Sequence, residues 1–500
     1  MNILILGNGF DLSHYLPTKY DHFMDVMEAI ENKELGKPLN DLVTSHFENV
    51  GDLIVKFLQL KKAINPQTYE MNFDELFSQC RDRNFITKTK QIYVTDNIKL
   101  SFEKIVEIQF LLKNNAWYQY FKNHVKEIKT WIDFEQKIYE ALRAISIFID
   151  KINEKIDEIG YCSDHINHSG ECEKSQIFIK AEYCKILESL NLLKSGYYGD
   201  GEDEDEDEYG RKFTRPYETG NGFDDYRFYI KDEINSYKHG YQKIDEHIIL
   251  ENLQKSLDNF IEIFNLYLTL VVDNLDPKVD FMINKSDWIN LDQIYSFNYT
   301  NSFLRFYKLI QIDFLHGQLG EDQNIVLGVS EIENESIKKI KAYGFTKYHQ
   351  KILKNTQYIF LHDLKNQIKN LTDTIDETRK SLLDDWKTNE MKDSDRNFIQ
   401  VNRQKLEQLK GKIFIWGHSL DISDKNYINE IFEMNESEKF FEVIVFYHNK
   451  QANFELLANL IHILGKDKIE FWMKNKWLKF EPNPEVNFQT ENKIELEQVS

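Results

Sequence analysis

The 500 residues carry 83 acidic against 62 basic side chains, a net charge of −21, which excludes a chain built to coat nucleic acid, because that work takes a basic face. The length is that of two or three domains, and the 41% hydrophobic content is ordinary for a globular protein. Four cysteines, Cys80, Cys162, Cys172 and Cys184, are too few for a disulfide framework; no basic region precedes the first apolar run, so it is no signal peptide, and the longest strongly apolar stretch, Phe264 to Val272, is too short to span a bilayer.

A cytoplasmic protein with neither membrane nor nucleic acid as partner is therefore expected. The net charge does not oppose a small anionic ligand, since only the field inside a cleft matters there.

Asn2 to Leu6 is a bounded aliphatic run and reads as a buried strand. It stops at Gly7-Asn8-Gly9-Phe10-Asp11. A strand that ends in a glycine turn opens many nucleotide-binding units, because glycine lets a phosphate approach backbone N–H groups. The ordinary dinucleotide fingerprint needs a third glycine where this chain has Leu12, so a conventional dehydrogenase is disfavoured. An ordinary strand-ending turn is the plainer reading of the same residues.

Tyr20 to Ile30 reads as a first helix, and apolar residues at helical spacing continue through Leu42–Leu60, Ile98–Trp117, Ile128–Ile159, Ile177–Leu193 and Ile244–Val272. Asp200 to Glu208 is an acidic run expected as a solvated loop. Nearby, Gly220 to Asp224 repeats the pentapeptide of Gly7 to Asp11 without a strand before it, which makes the pentapeptide alone a weak signal. Cys162, His165, His168 and Cys172 are metal-type ligands, but zinc sites separate their ligand pairs by a longer loop. A polar connecting loop, with no metal, is the expectation there. Asp133 and Glu135 lie two apart, so on a helix they face different ways, and a helix-start role is expected of them.

Strands return at Asp292–Phe297, Gln311–Leu315 and Asn324–Val329. A helical block, Glu331–Leu383, and a polar linker around Lys387–Arg396 follow. Lys412–Trp416 is another buried run, ending at Gly417-His418-Ser419-Leu420-Asp421. Phe441–Phe446 and Lys468–Trp472 are expected strands, with a helix at Ala452–Leu464 between them. The pattern predicts one discontinuous α/β domain from residues 1–30, 285–330 and 411–480, helical insertions at 31–284 and 331–410, and a tail at 481–500. Loops at the carboxyl ends of parallel strands converge on one crevice. That would bring Gly7-Asn8-Gly9, Asn298-Tyr299-Thr300, His316-Gly317 and Gly417-His418-Ser419 to a single site.

These motifs carry a resemblance. Gly7-Asn8-Gly9 with Leu16-Pro17 resembles the opening of sirtuins; Ser296-Phe297-Asn298-Tyr299 looks like the stretch holding their catalytic asparagine, Leu315-His316-Gly317 like their catalytic histidine, and Gly417-His418-Ser419-Leu420 like the segment lining the adenosine end of NAD. Over more of its length the chain resembles the bacterial abortive-infection AbiH family. That likeness includes Trp131-Ile132-Asp133-Phe134-Glu135 and Phe345-Thr346-Lys347-Tyr348. The chain departs from sirtuin deacylases in having no C-x-x-C pair, Thr300 in place of an aspartate, and Asp11 in place of a serine. Those departures turn the expectation from deacylation toward NAD hydrolysis.

The resemblance implies a Rossmann-like, sirtuin-like parallel sheet and an antiphage effector that cleaves NAD, its substrate, to nicotinamide and ADP-ribose. Asn298, His316 and Asp11 would be catalytic. Gly7, Asn8, Gly9, Phe10, Pro17, Thr300, Gly417, His418, Ser419 and Asp421 would bind the dinucleotide, with Gly7, Gly9 and Phe10 presenting backbone donors to the diphosphate. His316 is expected to titrate near neutrality. A non-catalytic nucleotide-binding sensor and an ADP-ribosyl transferase are the alternatives. A phage-derived trigger, a defence partner or a second copy of the chain would complete the system.

Overall fold

A computed structural model describes residues 1–34, 69–124, 131–163, 165–168, 173–197, 204–206, 212–214, 226–231, 235–238, 241–283, 290–307, 311–356, 360–385, 393–435 and 438–489. Strand β1 (Asn2–Leu6) runs into a short helix α1 (Asn8–Ser13) and then α2 (Tyr20–Glu31). A helical layer follows, with long members α3 (Trp131–Ile159) and α4 (Glu246–Tyr267), the latter continuing as a π-helical turn over Leu268–Val272. The chain returns through β2 (Gln293–Ser296) and β3 (Ile312–Phe314), then α5 (Lys347–Leu353), α6 (His362–Asp385) and α7 (Asp393–Leu409). It ends in β4 (Gly411–Trp416), α8 (Lys425–Glu433), β5 (Phe441–Tyr447), α9 (Lys450–Leu464), α10 (Lys466–Lys474) and β6 (Leu478–Pro482).

The six strands form one parallel sheet in the order β3-β2-β1-β4-β5-β6. Strand β1 is central, with Leu6 opposite Ser296 on one side and Trp416 on the other. Side chains alternate between faces, as the pleat requires. Ile3, Ile5, Ile413, Ile415, Val443 and Val445 pack against α6, α8 and α9 through Leu364, Ile431 and Leu460. Leu4, Leu6, Phe414, Trp416, Ile444 and Phe446 meet Phe10 and Phe303 on the opposite face. Burial on both faces is why these strands read as nearly continuous apolar runs.

The helical layer is fastened to the start of the chain. Phe23 of α2 meets Phe260, Phe264 and Tyr267 of α4 edge-on or tilted, and the Tyr267 hydroxyl donates to the Pro17 carbonyl at 2.5 Å. In the first turn of α3, Phe134 stacks on Phe260 with ring centroids 5.4 Å apart.

Several expected elements differ. Lys468–Trp472 is helix, part of α10, with Ile469 and Trp472 buried at helical spacing; the last strand of the six-stranded sheet is β6 instead. Asn324–Val329 is extended but outside the sheet, touching Thr346 only through a single bridge at Val329. There the Gln350 side chain takes the place of a neighbouring strand: Leu327 N–H donates to Gln350 Oε1 at 3.2 Å, and Gln350 Nε2 donates to the Leu327 carbonyl at 2.7 Å. Ile98–Trp117 is interrupted. Ser101 and Asn115 each cap a new helix, Phe102–Lys113 and Ala116–Asn123, as short polar side chains do for free N–H groups. Ile177–Leu193 resolves into a two-residue strand, a helix over Ala181–Ser189, and a strand starting at Leu193.

Within the acidic run, Glu204–Glu206 pairs antiparallel with Lys212–Thr214, so that stretch is not wholly loop. His165–Asn167 is likewise a strand rather than a loop. At the carboxyl end, Val486–Gln489 pairs with Asp280–Ile283. The expected helix Leu42–Leu60, the second pentapeptide Gly220–Asp224, Cys172 and much of the Lys387–Arg396 linker lie outside the described residues.

The turn after β1 and the turn after β4 touch backbone to backbone. A Cβ on Gly417, which has φ +75°, would fall 2.2 Å from Phe10 N, and one on Gly9 would fall 2.7 Å from Gly417 Cα. Gly465 also has positive φ, at +84°, but nothing lies within 4 Å of its Cβ position. Gly417→Ala should therefore lower stability by ~2–5 kcal/mol, from strain plus overlap, against ~1–3 for Gly465→Ala. Urea titrations of the two variants measure this, and equal losses would contradict the close contact.

Candidate functional site

At the carboxyl ends of β1, β2 and β4, between the sheet and the helical layer, lies a cavity of about 410 Å³. Small-molecule sites occupy roughly 300–1,000 Å³. Asp11, Asn298 and His316 all line it, as do Gly7, Asn8, Thr300, Gly417, His418 and Ser419. A larger, open depression of about 1170 Å³ lies beside α4. Of its charged lining, Glu251, Lys255, Asp258, Lys339 and Lys341 are exposed and Asp245 and Glu246 half-buried, so it lacks the buried acid–base groups of the first cavity.

Asp11 is buried in α1 and accepts hydrogen bonds from the hydroxyls of Thr300, at 2.6 Å, and Ser302. Burial raises its pKa from 3.8 to about 6, against the opposing pull of these hydroxyls and of the nearby Asn298 amide. Asn298 is 4% exposed, yet neither Nδ2 nor Oδ1 has a hydrogen-bond partner. Its proximity favours the Asp11 anion without the geometry of a bond. A buried amide with both ends unsatisfied is costly, and here it belongs to a residue that lines the cavity.

His316 is buried against the edge of the Phe297 ring, centroids 5.0 Å apart. Burial first, then the Lys351 and Lys347 charges, lower its pKa to about 3. The expectation of a histidine titrating near neutrality is thereby corrected: the imidazole is neutral. His418 packs on the same phenyl ring at 4.2 Å. Its Nδ1 accepts the Leu420 N–H at 2.9 Å, which in the neutral ring puts the proton on Nε2, 3.4 Å from Asp424 Oδ2. His316 Nε2 stands 3.3 Å from Asp424 Oδ1 without the alignment of a hydrogen bond.

Asp424 is the hub of a group the sequence did not single out. Lys347 Nζ lies 3.2 Å from Asp424 Oδ1 and 2.6 Å from Glu135 Oε1. Burial opposes the lysine's charge, but Asp424 and Glu135 together hold its pKa well above the usual value. Burial likewise opposes the Asp424 anion, and the Lys347 charge, helped by the His418 N–H, overcomes it, so this carboxyl stays ionised. Glu135 is the weaker acid of the two: burial raises its pKa despite the lysine. On the next turn of α5, Lys351 contacts the Tyr427 hydroxyl and sits 4.4 Å over its ring. Burial and the Lys347 charge lower its pKa to about 7.

Local structure aims these groups. Thr346 caps α5 by accepting the His349 N–H, and Lys347 N–H donates to the Val329 carbonyl at 2.8 Å. Glu135 follows the ring-stacked Phe134. Asp421 does not line the cavity; its side chain accepts the Ser423 N–H and caps the short turn that carries Asp424. The family-like segments around Glu135 and Lys347 were the one signal for this cluster.

Of the dinucleotide-binding residues expected, Gly9, Phe10 and Pro17 do not line the cavity either. The role expected of the backbone donors meets a conflict. Gly7 N–H donates to the Trp416 carbonyl, Gly9 N–H to that of Gly417, and Phe10 N–H to that of Gly7, each at 2.9 Å. These glycines serve the contact between two turns, and their amides are not open to a phosphate. Among the described residues, no three His, Cys, Asp or Glu side chains are grouped to hold a metal.

The fold and the cavity together define a mixed α/β protein whose parallel sheet carries a buried acid–base cluster at its carboxyl edge. The sequence matches the family model described as Bacteriophage abortive infection AbiH over residues 3–195 and 218–447, and the chain belongs to that family. The family points to defence against phage by abortive infection. The matched stretches contain Asp11, Glu135, Asn298, His316, Lys347 and Asp424. No curated protein and no solved structure matches the chain. Among the described residues, no helix is long and apolar enough to cross a membrane.

The position of Asp11 has a consequence for stability. Between pH 3.8 and about 6 its folded carboxyl holds a proton that the unfolded chain has released. Its contribution is therefore most favourable at low pH and falls as pH rises through that window. The stability of Asp11→Asn relative to wild type should rise by ~3 kcal/mol between about pH 4 and pH 7, two pKa units at ~1.4 kcal/mol each. Urea titrations across that range check it; a difference that does not change with pH would contradict it.

Proposed function

We propose that the cavity binds NAD and hydrolyses its nicotinamide–ribose bond, and that the resulting loss of NAD arrests an infected cell. The observation that carries this reading is the buried Asn298 amide, unpartnered at both ends and beside the Asp11 carboxyl in one cavity. Two features agree with it. The strand order is that of doubly wound dinucleotide-binding sheets, and the cavity lies beside β1 and β4, where that order reverses and such sheets take their ligands. Gly7, Asn8, Asn298, His316, Gly417, His418 and Ser419, one or more from each sirtuin-like motif, line it.

In this reading the nicotinamide leaves with the electron pair of its bond to the ribose anomeric carbon, through an oxocarbenium-like state. Water attacks that carbon. Asn298 orients the water or a ribose hydroxyl with its amide. Asp11, rather than His316, receives the water proton, because its carboxyl is ionised at neutral pH and can accept one. Neutral His316 serves as a hydrogen-bond partner for a ribose hydroxyl. The products are nicotinamide, ADP-ribose and one proton.

Purified protein incubated with NAD, with nicotinamide and ADP-ribose quantified, tests this. Turnover should rise with pH through about 6, the Asp11 value. Asn298→Ala, Asp11→Asn and His316→Ala should each lose ~100-fold or more. Tight NAD binding without turnover, with or without phage lysate, would favour the sensor; label transferred from NAD to a macromolecule would favour the transferase.

A further inference from the structure

Glu135 has one oxygen committed and one open. Oε1 holds Lys347 at 2.6 Å, whereas Oε2 is buried with no hydrogen-bond partner, in a side chain that lines the cavity. Lys347 cannot turn to serve it, because the ammonium is also held by Asp424 at 3.2 Å. Lys351 is directed to the Tyr427 hydroxyl and ring. A buried carboxylate oxygen without a donor is costly.

We propose that Glu135 is a ligand-binding residue whose Oε2 accepts a hydrogen bond from a hydroxyl or N–H of the bound dinucleotide, while Oε1 stays on Lys347. This rests on the reading of the cavity as an NAD site and adds the group that selects for a donor. A phosphate or carboxylate at that point would meet two carboxylates, Glu135 and Asp424, against the single Lys347 ammonium they already share. On NAD the available donors are the ribose hydroxyls, the adenine amino group and the nicotinamide carboxamide; ADP-ribose keeps the hydroxyls and the amino group and lacks the carboxamide.

Glu135→Gln is a sharp probe. The Lys347 ammonium, donor only, will take the amide oxygen, which turns the amide NH₂ toward the ligand. An acceptor becomes a donor at nearly unchanged volume. Dissociation constants are measured by calorimetry for ADP-ribose and for carba-NAD, in which a methylene replaces the oxygen of the nicotinamide-bearing ribose ring and blocks cleavage.

Weakening of carba-NAD alone, by about tenfold or more, assigns the donor to the carboxamide; equal weakening of both assigns it to a donor the two ligands share, a ribose hydroxyl or the adenine amino group. Either supports the proposal. Glu135→Asp keeps the charge but shortens the reach, and should weaken the same ligand; it stands in should Glu135→Gln fail to fold. Unchanged constants for both ligands would overturn the role of Glu135 and leave the NAD site standing. Failure of the wild-type protein to bind either ligand would overturn the NAD site itself and this inference with it.

Discussion

One ammonium group shared between two carboxylates organises the site. Lys347 comes from α5, Glu135 from α3 in the helical layer and Asp424 from the turn after β4. Three distant parts of the chain are thus tied at one buried point. Buried ions of this kind are poor stabilisers compared with apolar packing, but removing one partner leaves the others uncompensated. The arrangement therefore fixes geometry: it keeps Asp424 ionised next to the neutral His316 imidazole, and it leaves one oxygen of Glu135, a cavity-lining residue, without a partner. Bringing three segments together gives the helical layer a direct hold on the carboxyl edge of the sheet, so that a rearrangement of α3 would be felt at His316 through Lys347 and Asp424.

The second constraint is steric. The turns after β1 and β4 meet with no side chain between them, and Gly9 and Gly417 are required by that contact. A glycine-rich turn after a first strand invites the reading of a phosphate cradle. Here the same glycines are consumed in joining the two central strands, and their N–H groups are closed off by carbonyls of the neighbouring turn or of the turn itself. Among the side chains of the cavity, Asn298 and Glu135 keep polar atoms without a partner.

This division also explains what the sequence disclosed. Strands β1, β4 and β5 are buried on both faces, so Ile3 to Leu6, Ile413 to Trp416 and Val443 to Phe446 stand out as apolar runs. Strand β6 is at the sheet edge and reads Leu-Lys-Phe-Glu-Pro, with no run to notice, while the apolar residues just before it, Ile469 and Trp472, belong to a helix. The segment Asn324 to Val329 has a strand's composition because it is buried, but Leu327 pairs with a glutamine side chain and its neighbours with scattered backbone groups, which no local pattern reveals. Asp11, Asn298, His316 and His418 were legible because each follows a strand. Glu135, Lys347 and Asp424 were not, since their importance lies in contacts between positions far apart in sequence, and two of the three sit on helices where a charged residue ordinarily reads as solvated surface. The pKa of His316 was illegible for the same reason: burial and two lysines from elsewhere in the chain decide it.

The central claim is that side chains from separate segments form one cavity whose unpartnered groups are completed by a dinucleotide. The most direct measurement is a crystal structure of the protein with carba-NAD bound. The account predicts that the nicotinamide ribose lies against Asn298, Asp11 and His316, with the adenosine end toward Gly417 and Ser419. A dinucleotide seated in the open depression beside α4, with the Asn298 amide still unpartnered, would contradict it.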